Sequence, residues 1–257
     1  MNTLALSVAG GGLTFAAASA FAAALIPWQA LVFASASIAA VTAVSARRPG
    51  TSDPEVRPDA AGAPRAVHGL LREAGFPMLA GVLVLGAANE ASMASWTAAY
   101  ARQAGFTASA ASVVLAGHWA GLIAGRALLP RYLERRKAAG IAAGGVVGGA
   151  AILAMVMAPS PVLAALGPAL VGAAISIVVP TGLAVGGDRY PRYGSALFGA
   201  LLMLAQAGAL LAPPAIGVLA DRTSLRAALG LVALNSAGVA WCAWRLSLSP
   251  RALSARR

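Results

Sequence analysis

Eight stretches of this sequence are apolar for long enough to cross a lipid bilayer as helices, and that feature decides most of what the chain can fold into. They occupy residues 4–25, 28–45, 77–99, 108–129, 139–157, 162–185, 195–219 and 227–244. A spanning helix needs roughly 20 mostly apolar residues. Hydrocarbon offers no water to satisfy a backbone N–H or C=O, so only helices and closed barrels cross it. The stretches here are continuous and lack the two-residue alternation of a barrel strand. An all-α membrane protein with about eight transmembrane helices is therefore expected. Composition excludes the soluble alternative: 59% of the residues are hydrophobic and only 11% are charged, against roughly 25% charged in a soluble domain.

The net charge of +11 raises nucleic acid as a partner. The basic residues, however, fall between apolar blocks and not on one domain, which is the pattern of membrane orientation. With both termini cytoplasmic, 15 of the 19 Lys and Arg residues fall on inner segments. Only Arg102, Arg222 and Arg226 fall on outer loops, and Arg126 sits near a helix end. That bias predicts a multi-pass protein of a cell inner (plasma) membrane with both ends inside. The first stretch contains Ala18-Ser19-Ala20, of the type a signal peptidase accepts, but has no Lys or Arg near Met1. Apolar sequence continues directly into the second stretch, so the first reads as a membrane helix. A single cysteine, Cys242, and two distant histidines, His68 and His118, give no disulfide framework or metal motif, and no cofactor is expected.

The longest polar segment, rich in Pro, Arg, Asp and Ala, reads as a cytoplasmic linker. Its second half, around residues 66–73, has the composition of a short interfacial helix. The chain thus divides into two helices (1–46), a linker (47–75), a six-helix bundle (76–245) and a basic cytoplasmic tail (246–257).

Four local features give this layout a family likeness. Gly125-Arg126-Ala127-Leu128-Leu129-Pro130-Arg131, continuing to Lys137, resembles the basic loop between helices 8 and 9 of major facilitator superfamily transporters. Pro130 stands where that family often has an acid. Val179-Pro180-Thr181-Gly182, followed by Gly187-Asp188-Arg189-Tyr190-Pro191, is similar to the end of helix 10 and its cytoplasmic loop. Ala212-Pro213-Pro214, continuing to Asp221, looks like the end of helix 11, and Glu90 with Trp96 and Tyr100 resembles helix 7 of fucose-permease-like sugar porters. The resemblance implies a secondary transporter whose last six helices are the family's second half, with residues 1–46 as helices 5 and 6. Helices 1–4 then have no counterpart here. The expected alternative is a truncated or accessory membrane protein that needs a second chain or does not transport.

Glu90 is the one acid inside a predicted span. A charged carboxylate at a helix centre costs about 2.5–3.5 kcal/mol on insertion scales, so it needs a partner, a wet cavity or a proton. Proton coupling or binding of a polar solute is the functional reading; a neutral, locally satisfied Glu is the plain one. Met93, Ala94 and Thr97 share its face at 100° per residue, while Ser92, Trp96 and Tyr100 form a second stripe. Trp96 suits stacking on a sugar ring or interfacial anchoring, and Tyr100 anchoring. His118, mid-span, suits a proton relay or a structural bond. Arg126, two turns further along, is expected to snorkel to the surface or brace the following loop. Gln206 and Asn235 are expected to bond between helices. Thr97 joins Glu90, Trp96 and His118 as candidates for solute binding or proton coupling. Arg126, Arg131, Pro180, Asp188 and Arg189 are candidates for gating or structure. Gly117, Gly121 and Gly125 form a close-packing face. No paired acids or nucleophile–base set appears, so no enzyme is expected. The expected activity is alternating-access transport of a small polar solute, uncharged and sugar-like because no mid-membrane cation is evident, with protons as the coupling ion.

Overall fold

The computed structural model describes residues 63–133, 136–158 and 160–248. The two predicted spans within 1–46, the linker up to residue 62 and the tail from residue 249 lie outside the described residues. The described residues form a bundle of six helices long and apolar enough to cross a membrane. The protein is an all-α membrane protein.

A short helix, α1 (Ala63–Leu71), precedes the bundle and buries Leu70 against it, leaving His68 and Leu71 exposed. Gly75, at φ 88°, turns the chain into α2 (Phe76–Gln103), which has Pro77 in its first turn. A left-handed backbone there suits only a residue without Cβ, and proline's fixed φ favours the helix start. Gly105 (φ 94°) ends α2 in the same way, with the Phe106 N–H donating to the Ala101 carbonyl. Thr107 then caps α3 (Ala108–Leu128), its hydroxyl accepting from the Ala110 N–H. One turn, α4 (Pro130–Leu133), leads to α5 (Lys137–Met157).

The span expected over 162–185 is present as Pro161–Arg189, interrupted at mid-length into two segments, α6 (Pro161–Ile175) and α7 (Val178–Arg189). The cause is Pro180. It supplies no N–H to the carbonyl four residues earlier, that of Ser176, and the ladder opens at that point. A 3₁₀ turn (Pro191–Tyr193) connects to α8 (Gly194–Arg222), and α9 (Leu225–Leu248) closes the bundle. Pro213-Pro214 does not end its helix: α8 runs on through both to Arg222.

α2 is the hub, packed on α8 and α9 most extensively and also on α3, α7 and α6. α5 packs on α9 and α6, and α3 packs on α6. Glycine makes the α3–α6 contact possible. A Cβ on Gly121 would overlap the Ala169 carbonyl, and one on Gly125 the Ser176 hydroxyl. Helices in lipid gain little from apolar burial and associate by such close approach. The outer surface is apolar, with Val146, Leu166, Met203, Leu210 and Leu234 each more than half exposed, as a lipid-facing surface requires. Gln206, expected to bond between helices, is exposed instead, and Asn235 bonds no other described side chain. The polar bond crossing that region runs from Asn89 Nδ2 on α2 to Ser236 Oγ on α9, 2.9 Å, and Ser236 passes it on to the Val232 carbonyl.

Candidate functional site

The site is built on the break in the α6–α7 helix. Because Pro180 has no N–H, the Ser176 carbonyl lacks its regular helical donor, and Arg126 Nε on α3 donates to it at 3.2 Å. Arg126 Nη2 donates in turn to Glu90 Oε2 on α2 at 2.7 Å. Three elements thus meet at one guanidinium. Its side chain is 5% exposed, while that of Glu90 is 19% exposed, so the pair is approached from the carboxylate side.

Arg126 does not snorkel. In a helix the Cα–Cβ bond leans toward the N-terminus, and α3 places that direction away from its nearby C-terminal end and into the bundle. Gly125 beside it brings α6 close enough for the guanidinium to reach the broken turn. The premise that no cation sits within the bundle therefore fails.

His118, fully buried two turns before Arg126 on α3, holds Nδ1 3.0 Å from the Pro168 carbonyl of α6. A carbonyl only accepts, so Nδ1 carries the proton. Its Nε2, like the hydroxyls of Thr97 and Ser92 and the Asn89 Oδ1, is buried with no hydrogen-bond partner among the described residues. Trp96 is committed: its indole N–H donates to the Pro213 carbonyl at 3.0 Å, and its ring lies against Gly217 on α8. Tyr100 is buried, its hydroxyl donating to the Met155 carbonyl of α5 at 2.7 Å.

The remaining candidates gather at the end of the bundle that carries α1. Asp188 pairs with Lys137, tying α7 to α5, and Arg189 donates to the Leu246 carbonyl of α9. Glu73 accepts from Arg192 and from the Tyr193 hydroxyl, and the Tyr190 hydroxyl donates to the Ala74 carbonyl. Burial pushes the Tyr190 phenol above its ordinary pKa. Arg131 lies exposed on α4. The structure therefore joins Glu90 to Arg126 and, through the Ser176 carbonyl, to the interruption that Pro180 makes, and keeps Trp96, Asp188 and Arg189 in braces at either end. Ser176, Asn89 and Ser236 escaped the sequence reading. Ser176 carries a signal in hindsight, since it lies four residues before a mid-helix proline. Among the described residues no three His, Cys, Asp or Glu side chains group as metal ligands.

A buried ion pair among packed spanning helices defines a multi-pass membrane protein with a polar interior site. A family comparison makes the class specific: the Major Facilitator Superfamily matches residues 2–213, and the chain belongs to that superfamily of membrane transporters. No curated protein matches the chain.

Proposed function

We propose that the chain moves a small polar solute across the membrane by alternating access, coupled to protons through Glu90. The observation that carries this reading is the Glu90–Arg126 ion pair seated on the helix break at Ser176. An ionisable pair inside a membrane bundle is costly to keep and is a functional signal by default. Protonating Glu90 removes one of the pair's two charges. The same guanidinium holds the carbonyl at the bend, so the proton and the angle between α6 and α7 bias each other. A broken helix at mid-bundle is where transporters place binding and movement. An uncharged, sugar-like solute was expected because no interior cation was evident; a buried Arg126 removes that argument.

The test is solute uptake by proteoliposomes holding the full chain, under an imposed proton gradient, across a panel of sugars and small acids. Gradient-driven accumulation that is lost in a folded Glu90→Gln variant is the expected result. Uptake indifferent to the gradient would keep a carrier and discard the coupling. No uptake by folded protein would favour an accessory chain that needs a partner.

A further inference from the structure

We propose that the solute is a small monocarboxylate, which takes the place of Glu90 on Arg126 when Glu90 is protonated. This rests on the transporter reading above and adds the charge and head group of the solute to it.

The geometry supplies the recognition. Arg126 presents its planar fork with Nε on the Ser176 carbonyl and Nη2 on one carboxylate oxygen, 2.7 Å away. What it already binds is a carboxylate, and a guanidinium donates a charge-assisted hydrogen bond to that group roughly twice as strong as one to a neutral hydroxyl. The backbone contact keeps the fork aimed while its carboxylate partner changes. Ser176 Oγ is itself fixed to the Ala173 carbonyl at 2.7 Å, and Gly125 packs against it, so the anchor is rigid. Exchange proceeds at the Glu90 side, the more exposed of the two.

Charge supplies the coupling. A proton added to the Glu90 carboxylate raises the charge of the site by one, whatever else the guanidinium touches. A bound monocarboxylate lowers it by one. Entering together, the two leave the charge unchanged, whereas either alone places an extra charge in a low-dielectric interior. A sugar offers hydroxyls but no such balance. On release, the anion leaves Arg126, Glu90 loses its proton to the other side and the ion pair closes again.

Among the described elements packed against α2, the other charged and titratable groups are placed as follows. His118 on α3 is held by Pro168, and α6 contains none. Asp188 and Arg189 of α7 are engaged with Lys137 and the Leu246 carbonyl. Asp221 and Arg222 end α8, Arg226 begins α9 and Arg245 lies near its end, while Cys242 packs beside Gly81.

The experiment measures uptake of labelled lactate, pyruvate and L-fucose by liposomes holding the full chain, with an inward proton gradient and the membrane potential clamped at several values. We expect lactate or pyruvate to accumulate at a rate independent of the potential. Arg126→Gln should lower that rate by about tenfold or more, the loss of a charge-assisted contact. That variant risks misfolding, so Glu90→Gln, a fixed analogue of the protonated carboxyl, is measured beside it. It should still exchange lactate or pyruvate between the two sides while proton-driven accumulation is lost. A folded Glu90→Gln protein that exchanges neither overturns the inference, as does native uptake that follows the potential. Fucose carried without either monocarboxylate overturns it and leaves the transporter standing; uptake of none of the three overturns it too and leaves the transporter reading to the wider solute panel.

Discussion

At the scale of single residues, the pairing of Glu90 with Arg126 follows from where each side chain leans. Both are affordable in a membrane only because each answers the other's charge. Removing one partner of a fully buried pair costs about 3–5 kcal/mol, because the other is left desolvated. By that argument Glu90→Gln, which leaves the 5% exposed Arg126 behind, costs more through the ion pair than Arg126→Gln, which leaves the 19% exposed Glu90. The double variant should be more stable than the two single losses predict, with a coupling on the order of 0.5–3 kcal/mol, measured by unfolding in detergent. Simple additivity would show that the contact carries no stability. Tyr190 offers a cleaner case outside the spans. Its phenol donates to the Ala74 carbonyl, and burial raises its pKa, so the protonated donor is the form favoured in the folded chain. Tyr190→Phe should cost about 1 kcal/mol. That cost is fully present below the ordinary tyrosine pKa and fades as pH rises through the raised folded value. A pH-independent difference extending to strongly alkaline solution would count against the bond.

At the scale of elements, much of the fold is legible in the sequence. Continuous apolar runs announce the six described spans, and the Gly117-Gly121-Gly125 repeat announces a close contact that α6 fills. Pro180 announces a break. The partner of Glu90 is not legible, because partner choice depends on how α3 is rotated about its axis, and no periodicity within α3 reports that. Gln206 fails for a related reason: a polar residue in an apolar run is assigned inward, yet the face it occupies on α8 is an exposed one. The break itself supports a sharper expectation. Pro180→Ala returns an N–H to the Ser176 carbonyl, in competition with Arg126 Nε. The helix then gains a bond and loses a residue about 3 kcal/mol poorer than alanine in helix interiors. Thermal stability should hold or rise while the uptake rate falls severalfold. A variant that transports at the native rate would show that the bend at Ser176 takes no part in the cycle.

At the scale of the whole molecule, the two ends of the bundle are held differently. At the α1 end, charged contacts link α7 to α5 and to α9, and Glu73 to the 3₁₀ turn. At the opposite end, neutral bonds from Trp96 and Tyr100 fasten α2 to α8 and α5. Which end faces the cytoplasm decides the direction from which protons reach Glu90. The distribution of Lys and Arg gives the answer a sign: among the described residues Arg65, Arg72, Arg131, Arg136, Lys137, Arg189, Arg192 and Arg245 fall on the α1 side and Arg102, Arg222 and Arg226 on the other, and the richer side is expected inside. The single cysteine, Cys242, is buried, so Cys242→Ala provides a background for labelling. Arg72, in the connection that leads into α2, and Gln103, the last residue of α2, are both exposed. In that background a membrane-impermeant maleimide applied to intact cells should label Gln103→Cys and not Arg72→Cys. Permeabilised cells should label both. The reverse pattern would turn the bundle over and place the charged network outside.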